Sequence, residues 1–174
     1  AQDTFNRMGR SIRINSDGSI PADNPYASNG LGNAAVWSYG HRNPQGLVLD
    51  KTTGRLYSHE HGAKGGDELN LIKPDTNYGW PAVTKGVNYS GAYVSPLRSA
   101  PGVEEPLTFW DPSIGASGLA IYEGDAFPDW QGKLFVGALV DEEVRMLTLS
   151  DGAVTDEQAM FSEIGARIRD VRTG

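Results

Sequence analysis

The chain has no cysteine among its 174 residues. Disulfide bonds, thiolate zinc sites and cysteine nucleophiles are therefore excluded, and thiols give no indication of the redox compartment. Long apolar runs are also absent, because none approaches the roughly 20 residues that a helix needs to cross a bilayer. We therefore expect no membrane span.

Positive charge is scarce: 15 lysines and arginines stand against 22 aspartates and glutamates, which gives a formal net charge of -7. A protein with this balance has no basic stripe to neutralise phosphates, so nucleic acid is a poor candidate for a partner. The length suits one domain with a real core, because ~150 residues bury about two thirds of the unfolded surface.

Helical periodicity is nearly absent, and only Thr155 to Ser162 suggests a helical turn. The chain instead contains short apolar runs that are closed by glycine-containing turns. The clearest of these runs are Ser11–Ile14, Gly46–Leu49, Lys133–Val136 and Met146–Leu149. The sequence therefore predicts an all-β fold built from hairpins.

Strand-turn-strand segments recur along the chain. The turn glycines Gly54 and Gly132 lie 78 positions apart, and the Asp-Gly turns at Asp17 and Asp151 lie 134 apart. Divided into two and three steps, these offsets give about 39 and about 45 residues a step, close to the length of a four-stranded propeller blade. The interpretation is a β-propeller, with about four blades supplied by this chain. Chance is the alternative, because such patterns recur in any β protein.

Two groups of residues indicate metal chemistry. Asp67 and Glu68 follow a Gly-Gly pair and precede a turn at Tyr78, and such hard oxygen ligands suit Ca²⁺. A solvated acidic turn is the alternative. His59 and His61 would share one face of an extended strand, a geometry that can bind a transition metal. More often such a pair is structural.

Arginine clusters indicate an anionic ligand. Arg42 and Asn43 open a corner made rigid by Pro44, which would project a planar guanidinium and an amide toward one point, suited to carboxylates. Arg167 and Arg169 would share a strand face by the period of two. Together the clusters suggest a small molecule with several negative charges. Structural salt bridges are the alternative for any single arginine.

These motifs resemble the glucose/sorbosone dehydrogenase family, and within it the soluble aldose sugar dehydrogenases that use pyrroloquinoline quinone (PQQ). The resemblance covers essentially the whole chain, and several motifs agree in both sequence and order. They are GHRNPQG (40–46), HEHGAKGGDELNLI (59–72), NYGWP (77–81), SIGASG (113–118) and ARIRDV (166–171).

The resemblance implies a six-bladed β-propeller with PQQ across its top face. By this resemblance, residues 1–174 would form a partial propeller domain that supplies the central to C-terminal blades of the ring. The N-terminal blades and the final part of the ring would be absent. The matching PQQ-binding positions are Arg42, Asn43, Arg167 and Arg169. Those for the Ca²⁺ that binds PQQ are His61, Gly62 and Ala63. A second, structural Ca²⁺ would use the Glu68 carboxylate, with Asp67 nearby and the Tyr78 carbonyl.

The implied activity is oxidation of an aldose at its anomeric carbon to a lactone, with electrons passed to an external acceptor. The family's catalytic histidine, the general base, matches none of His41, His59 and His61, so we expect the isolated chain to be inactive. Val140 stands where some relatives place a lysine near the cofactor. Family members are commonly exported, which predicts a periplasmic or secreted protein.

Two other functions fit the same residues. One is a non-catalytic, Ca²⁺-stabilised propeller module whose arginines bind a protein or glycan, and the other is a lactonase-like propeller hydrolase with Ca²⁺ in its central channel. The open propeller edges also predict a homodimer, because unpaired strand edges are templates for pairing.

Overall fold

The computed structural model describes residues 1–174 and contains eleven strands in three sheets. Sheet 1 has the order β1-β2-β6, sheet 2 the order β3-β4-β5-β7, and sheet 3 the order β8-β9-β10-β11. The strands are β1 (Arg10–Ile12), β2 (Val36–Tyr39), β3 (Pro44–Leu49), β4 (Leu56–Glu60), β5 (Asp67–Ile72), β6 (Thr76–Asn77), β7 (Thr108–Trp110), β8 (Ala116–Ile121), β9 (Leu134–Ala138), β10 (Val144–Ser150) and β11 (Ala153–Met160).

The all-β prediction is confirmed, since the only helical segments are two short 3₁₀ turns, Pro128–Trp130 and Ser162–Ile164. Neither is long and apolar enough to cross a membrane. The helical turn expected over Thr155 to Ser162 is wrong. Those residues instead belong largely to β11, which pairs with β10 along its whole length.

Sheets 2 and 3 are antiparallel meanders that pack against each other, with β3 beside β8. The shared core is apolar because alternate residues of each strand face the neighbouring sheet. Leu69 of sheet 2 and Leu134 and Leu147 of sheet 3 are fully buried in it. This packing places the ends of β4 and β8 side by side, where the polar residues gather.

The 78-residue offset between the turn glycines Gly54 and Gly132 corresponds to one sheet in the structure, whereas the sequence pattern divides it into two blades. Gly54 lies in the turn between β3 and β4, and Gly132 lies between β8 and β9, so both turns join the first two strands of a four-stranded sheet. The offset of 78 residues therefore spans one sheet rather than two blades, because 78–107 forms a long connection before β7. With three sheets present, the count of about four blades is not confirmed.

Candidate functional site

The Arg42–Asn43 corner is held by one buried carboxylate. Glu60 ends β4 opposite Pro44, where the β3–β4 register shifts by one residue. Its Oε2 accepts the main-chain N–H groups of Arg42 at 2.6 Å and Asn43 at 3.1 Å. Since Glu60 is only 4% exposed, these charge-assisted bonds fix the corner at the edge of sheet 2.

The Arg42 side chain retains capacity to donate hydrogen bonds. Its Nη1 donates to the carbonyl of His61 at 3.2 Å, and its guanidinium lies over the ring of Trp80, 5.2 Å from the centroid. The Nε atom is buried and has no partner. A buried donor without an acceptor costs free energy, so an anionic ligand oxygen here would be stabilising.

Behind the corner, His41 connects Glu60 to the neighbouring sheet. Because a carboxylate only accepts hydrogen bonds, His41 Nδ1 donates to Glu60 Oε1 at 3.3 Å, and Nε2 lies 2.8 Å from Ser38 Oγ. The imidazole stacks on Tyr78 with 4.6 Å between centroids. Burial raises the pKa of the Tyr78 phenol, whose oxygen donates to the Leu71 carbonyl at 2.5 Å.

A small cavity of about 10 Å³ lies beside this corner and is lined by Glu60, Glu68, His61 and Tyr78, among others. That volume holds about one water or ion. Burial, with the nearby Glu60 carboxylate, raises the pKa of Glu68 to about 8. Two carboxylates that oppose each other's ionisation in one cavity form a place where a cation is favourable.

Main-chain oxygens near this cavity are free to bind a cation. The carbonyls of Gly62, Ala63 and Tyr78 accept no hydrogen bond from the protein, although Gly62 and Tyr78 are buried. Hard oxygen atoms of this kind suit Ca²⁺. No cluster of three or more histidine, cysteine, aspartate or glutamate side chains is present, so a cation here would depend on main-chain oxygens.

Glycines make the loop after β4 compact. A Cβ on Gly62 would clash with the carbonyls of Gly65 and Gly66, and one on Gly86 would clash with the carbonyl of Gly65. The loop is closed further by the pairing of Lys64 with Val87. Main-chain oxygens come close together here because glycine has no side chain to separate the neighbouring main-chain segments of the loop.

The Nε2 atoms of His59 and His61 each face a main-chain carbonyl rather than a shared metal position. His61 Nε2 lies 2.5 Å from the carbonyl of Ala116, and His59 Nε2 lies 3.4 Å from that of Gly118. A nitrogen that faces a carbonyl carries a proton and cannot bind a metal. Burial lowers the pKa of His59 to about 4, so this ring is neutral at pH 7.

Asp67 lies nearby but is occupied by protein donors. Its Oδ1 accepts the N–H of Gly62 at 3.1 Å. Its Oδ2 accepts the Ser113 hydroxyl at 2.7 Å and the N–H groups of Gly115 at 2.9 Å and Ala116 at 3.2 Å. Because Asp67 is fully buried, its role in this structure is to tie the loop of sheet 2 to the start of β8.

The main chain between the two arginines of the second cluster contacts the start of β8. Ser117 Oγ donates to the Ile168 carbonyl at 2.6 Å, and Ser117 follows Ala116, which receives the His61 hydrogen bond. Arg167 and Arg169 flank Ile168, are exposed and form no ion pair. The expected strand is not formed, since 165–174 pairs with no sheet.

Sequence reasoning did not identify the support behind Arg42. Ser38 and His41 are buried hydrogen-bonding residues of the site, and Glu60 enters the sequence analysis only within the HEHGAKGGDELNLI motif. A usable signal was present, because a buried charged residue beside a strand end requires partners. Its partners, 17 to 19 positions away, depend on strand register.

Comparison with known proteins gives the family. The model of the "Glucose / Sorbosone dehydrogenase" family matches residues 1–174. The chain belongs to the glucose/sorbosone dehydrogenase family. Within it, an aldose sugar dehydrogenase of Escherichia coli K12 is 42% identical over 176 residues, covering 100% of this chain and 47% of the relative. The chain spans about half the length of the curated relatives it matches.

Solved structures of glucose/sorbosone dehydrogenase type share the fold. A crystal structure of a glucose dehydrogenase superposes with a TM-score of 0.95 at 44% identity, covering 99% of this chain and 51% of that one. The PQQ-bound form of an aldose sugar dehydrogenase from Streptomyces coelicolor superposes with a TM-score of 0.74 at 31% identity, covering 97% and 44%. The resemblance inferred from the motifs is confirmed at the level of family.

Proposed function

We propose that this chain is part of a PQQ- and Ca²⁺-dependent aldose dehydrogenase, with its three sheets as consecutive blades of a propeller. The supporting observations are the buried Nε of Arg42, which has no partner, and the exposed guanidinium groups of Arg167 and Arg169, which form no ion pair. A flat molecule with several carboxylates would satisfy all three guanidinium groups. The PQQ bound to the Streptomyces relative supports this choice.

Each residue has a proposed role. Arg42 and Asn43 bind one side of PQQ, with the Trp80 face beneath the guanidinium, and Arg167 and Arg169 bind its carboxylates from the segment that contacts the start of β8. When bound, PQQ supplies the acceptor for the hydride of the sugar's anomeric carbon, and Ca²⁺ supplies a Lewis acid beside it. The product is a lactone, and the electrons leave to an external acceptor.

The proposed cation positions follow the free main-chain oxygens. Gly62 and Ala63 donate carbonyl oxygens to the Ca²⁺ that accompanies PQQ, beside the His61 carbonyl already bound to Arg42. A second Ca²⁺ uses the Glu68 carboxylate and the Tyr78 carbonyl. Asp67 supports the second site only indirectly, because four protein donors already bind its oxygens.

Both ring nitrogens of His41 and the Nε2 atoms of His59 and His61 face protein groups, and none of the three matches the family's catalytic motif, which supports a general base outside these residues. We therefore expect no turnover of glucose with a dye acceptor by the isolated chain. We also place the protein in the periplasm or outside the cell, the setting of exported sugar oxidation.

A spectroscopic titration with PQQ tests the proposal. With Ca²⁺ present, the wild-type chain should shift the PQQ absorbance and quench Trp80 fluorescence, and both effects should weaken when Ca²⁺ is chelated. Arg42→Ala should lower the affinity by at least about 30-fold, since losing one partner of a buried charge pair costs roughly 2 kcal/mol or more.

Arg13→Ala is the matched control, because Arg13 also lies over a tryptophan, 4.9 Å from the Trp37 centroid, but away from the site. Its affinity for PQQ should stay within about twofold of wild type. The proposal is wrong if the wild-type chain shows no spectral change up to about 1 mM PQQ, or if the two variants lose affinity equally. Ca²⁺ binding without PQQ binding would favour the binding module or the hydrolase.

A further inference from the structure

Glu60 contacts the main chain of the corner rather than the side chains that would meet a ligand. Its Oε2 accepts two consecutive N–H groups, those of Arg42 at 2.6 Å and Asn43 at 3.1 Å. Two N–H groups on one oxygen define the direction of the peptide unit between them. Through this unit, Glu60 controls where both side chains begin.

Three buried side chains keep the Glu60 carboxylate in place. His41 Nδ1 donates to Oε1 at 3.3 Å, and Asn70 Nδ2 lies 3.5 Å from the same atom. Ser38 Oγ lies 2.8 Å from His41 Nε2 and 2.5 Å from Ser11 Oγ. Ser38, His41 and Glu60 are 0%, 2% and 4% exposed.

This hydrogen-bonded series joins two sheets. Ser11 lies on β1 and Ser38 on β2 of sheet 1, whereas Glu60 ends β4 of sheet 2. His41, in the connection between the sheets, lies between them and stacks on Tyr78. The corner is therefore supported by both sheets, which is how a rigid binding site is built.

We propose that Glu60 is a positioning residue that fixes the Arg42–Asn43 corner for anion binding, with sheet 1 as its support. The inference rests on the proposed function, since PQQ is the anion used to test it. Glu60 need not touch PQQ, because its effect passes through the main chain. A displacement of about 1 Å in a group that positions a substrate can lower the reaction rate about 100-fold. We expect a loss of similar size in the affinity for PQQ.

The other end of β3 provides a matched control. Asp50 is also buried and likewise accepts two consecutive main-chain N–H groups on one oxygen, those of Thr52 at 2.9 Å and Thr53 at 3.2 Å. It caps the β3–β4 turn, at the end of the hairpin opposite the Arg42–Asn43 corner. Asp50→Asn therefore removes the same type of interaction from the same hairpin without touching the corner.

The first measurement compares PQQ affinity in Glu60→Gln and Asp50→Asn at the same Ca²⁺ concentration. We expect a loss of about 10- to 100-fold for Glu60→Gln and less than about twofold for Asp50→Asn, although both variants should have a lower Tm. If the two variants lose affinity equally, Glu60 has a general structural role and the inference is overturned.

The second measurement does not depend on PQQ. In the wild-type chain the amide hydrogens of Arg42 and Asn43 should exchange slowly, and Glu60→Gln should speed their exchange by at least about tenfold relative to strand amides such as Leu69. Unchanged exchange at both positions overturns the inference. A wild-type chain that binds no PQQ refutes the proposed function instead, and amide exchange then decides the role of Glu60 alone.

Ser38→Ala covers the case in which Glu60→Gln does not fold. It removes the hydrogen bond to His41 but leaves the Glu60 carboxylate in place. The affinity for PQQ should therefore fall, and amide exchange at Arg42 and Asn43 should become faster, each by only about two- to fivefold. Wild-type affinity together with wild-type amide exchange in Ser38→Ala would refute the support from sheet 1.

Discussion

Sheets 2 and 3 have the same four-stranded meander but bury different side chains. Sheet 3 buries a nearly continuous apolar set, including Leu134, Val136 and Leu147. Sheet 2 buries five polar or charged residues, namely Ser58, His59, Glu60, Asp67 and Asn70. Buried polar groups are costly unless they are hydrogen-bonded, so the contrast indicates that sheet 3 mainly stabilises the pair and sheet 2 carries the site.

Asp67→Asn is the most direct test of this difference between the two sheets. An amide cannot accept on both sides, so its NH₂ group would face a main-chain N–H donor of either Gly62 or Gly115. We expect a loss of roughly 3 to 5 kcal/mol in the free energy of unfolding, measured by urea denaturation, because charge-assisted hydrogen bonds worth roughly 1.5 to 3 kcal/mol each are lost and a buried N–H is left unpaired. The exposed Asp156→Asn in sheet 3 should change it by less than about 0.5 kcal/mol. Equal effects would contradict the division between the sheets.

Leu134→Ala tests the apolar side of the contrast. Leu134 is fully buried between the two sheets, so the truncation should cost about 3 kcal/mol. The loss should be the same at pH 5 and pH 7, because no titratable group is removed. A strongly pH-dependent loss would show that sheet 3 shares the electrostatics of sheet 2.

Acid should destabilise sheet 2 through His59. Burial lowers its folded pKa to about 4 from the ordinary 6.5, so between these values the unfolded chain binds the additional proton. The His59 contribution to stability should therefore fall by roughly 2 kcal/mol from pH 7 to pH 5 and level off below pH 4, whereas Glu68, whose pKa is raised, contributes in the opposite direction in the wild type and the variant alike. Urea denaturation of His59→Gln should lack this part of the pH slope. An unchanged slope would assign the effect to another group.

The smallest expected effect concerns self-association. Leu47 and Leu49 on β3 are 61% and 50% exposed and line a groove between sheets 1 and 2 together with Ile12 and Ile14. Two copies would supply six sheets and about the length of one relative. We predict that this groove contributes to the homodimer expected from the open propeller edges, and that Leu47→Ser with Leu49→Ser weakens self-association about tenfold, by sedimentation velocity. A monomeric wild-type chain at micromolar concentration would contradict it.

Much of the strand content was predictable because it depends on local pattern. The apolar run Gly46–Leu49 lies in β3, and Lys133–Val136 and Met146–Leu149 overlap β9 and β10. β11 was not predictable in this way, because most of its side chains are exposed and its apolar residues do not alternate. Its structure comes from pairing with β10, which local pattern does not show.

The predicted number of residues per repeat differs from the structure for a related reason. A fixed period assumes connections of similar length, whereas 78–107 between β6 and β7 is long and contains no strand. At the site, residue type identified Arg42 as an anion-binding candidate. The contact of Glu60 with its main chain depends on the register shift between Pro44 and Gly46, and a non-local pairing of this kind is not encoded in spacing.

The crowding of glycines in the loop after β4 limits how this protein can be engineered. Any larger residue at Gly62 or Gly86 would separate main-chain segments that now touch, so saturation libraries over 62–66 and 86 should yield few folded clones. Substitutions are better tolerated in the surface segment 88–102, which is mostly exposed, because changes there leave that crowded turn intact.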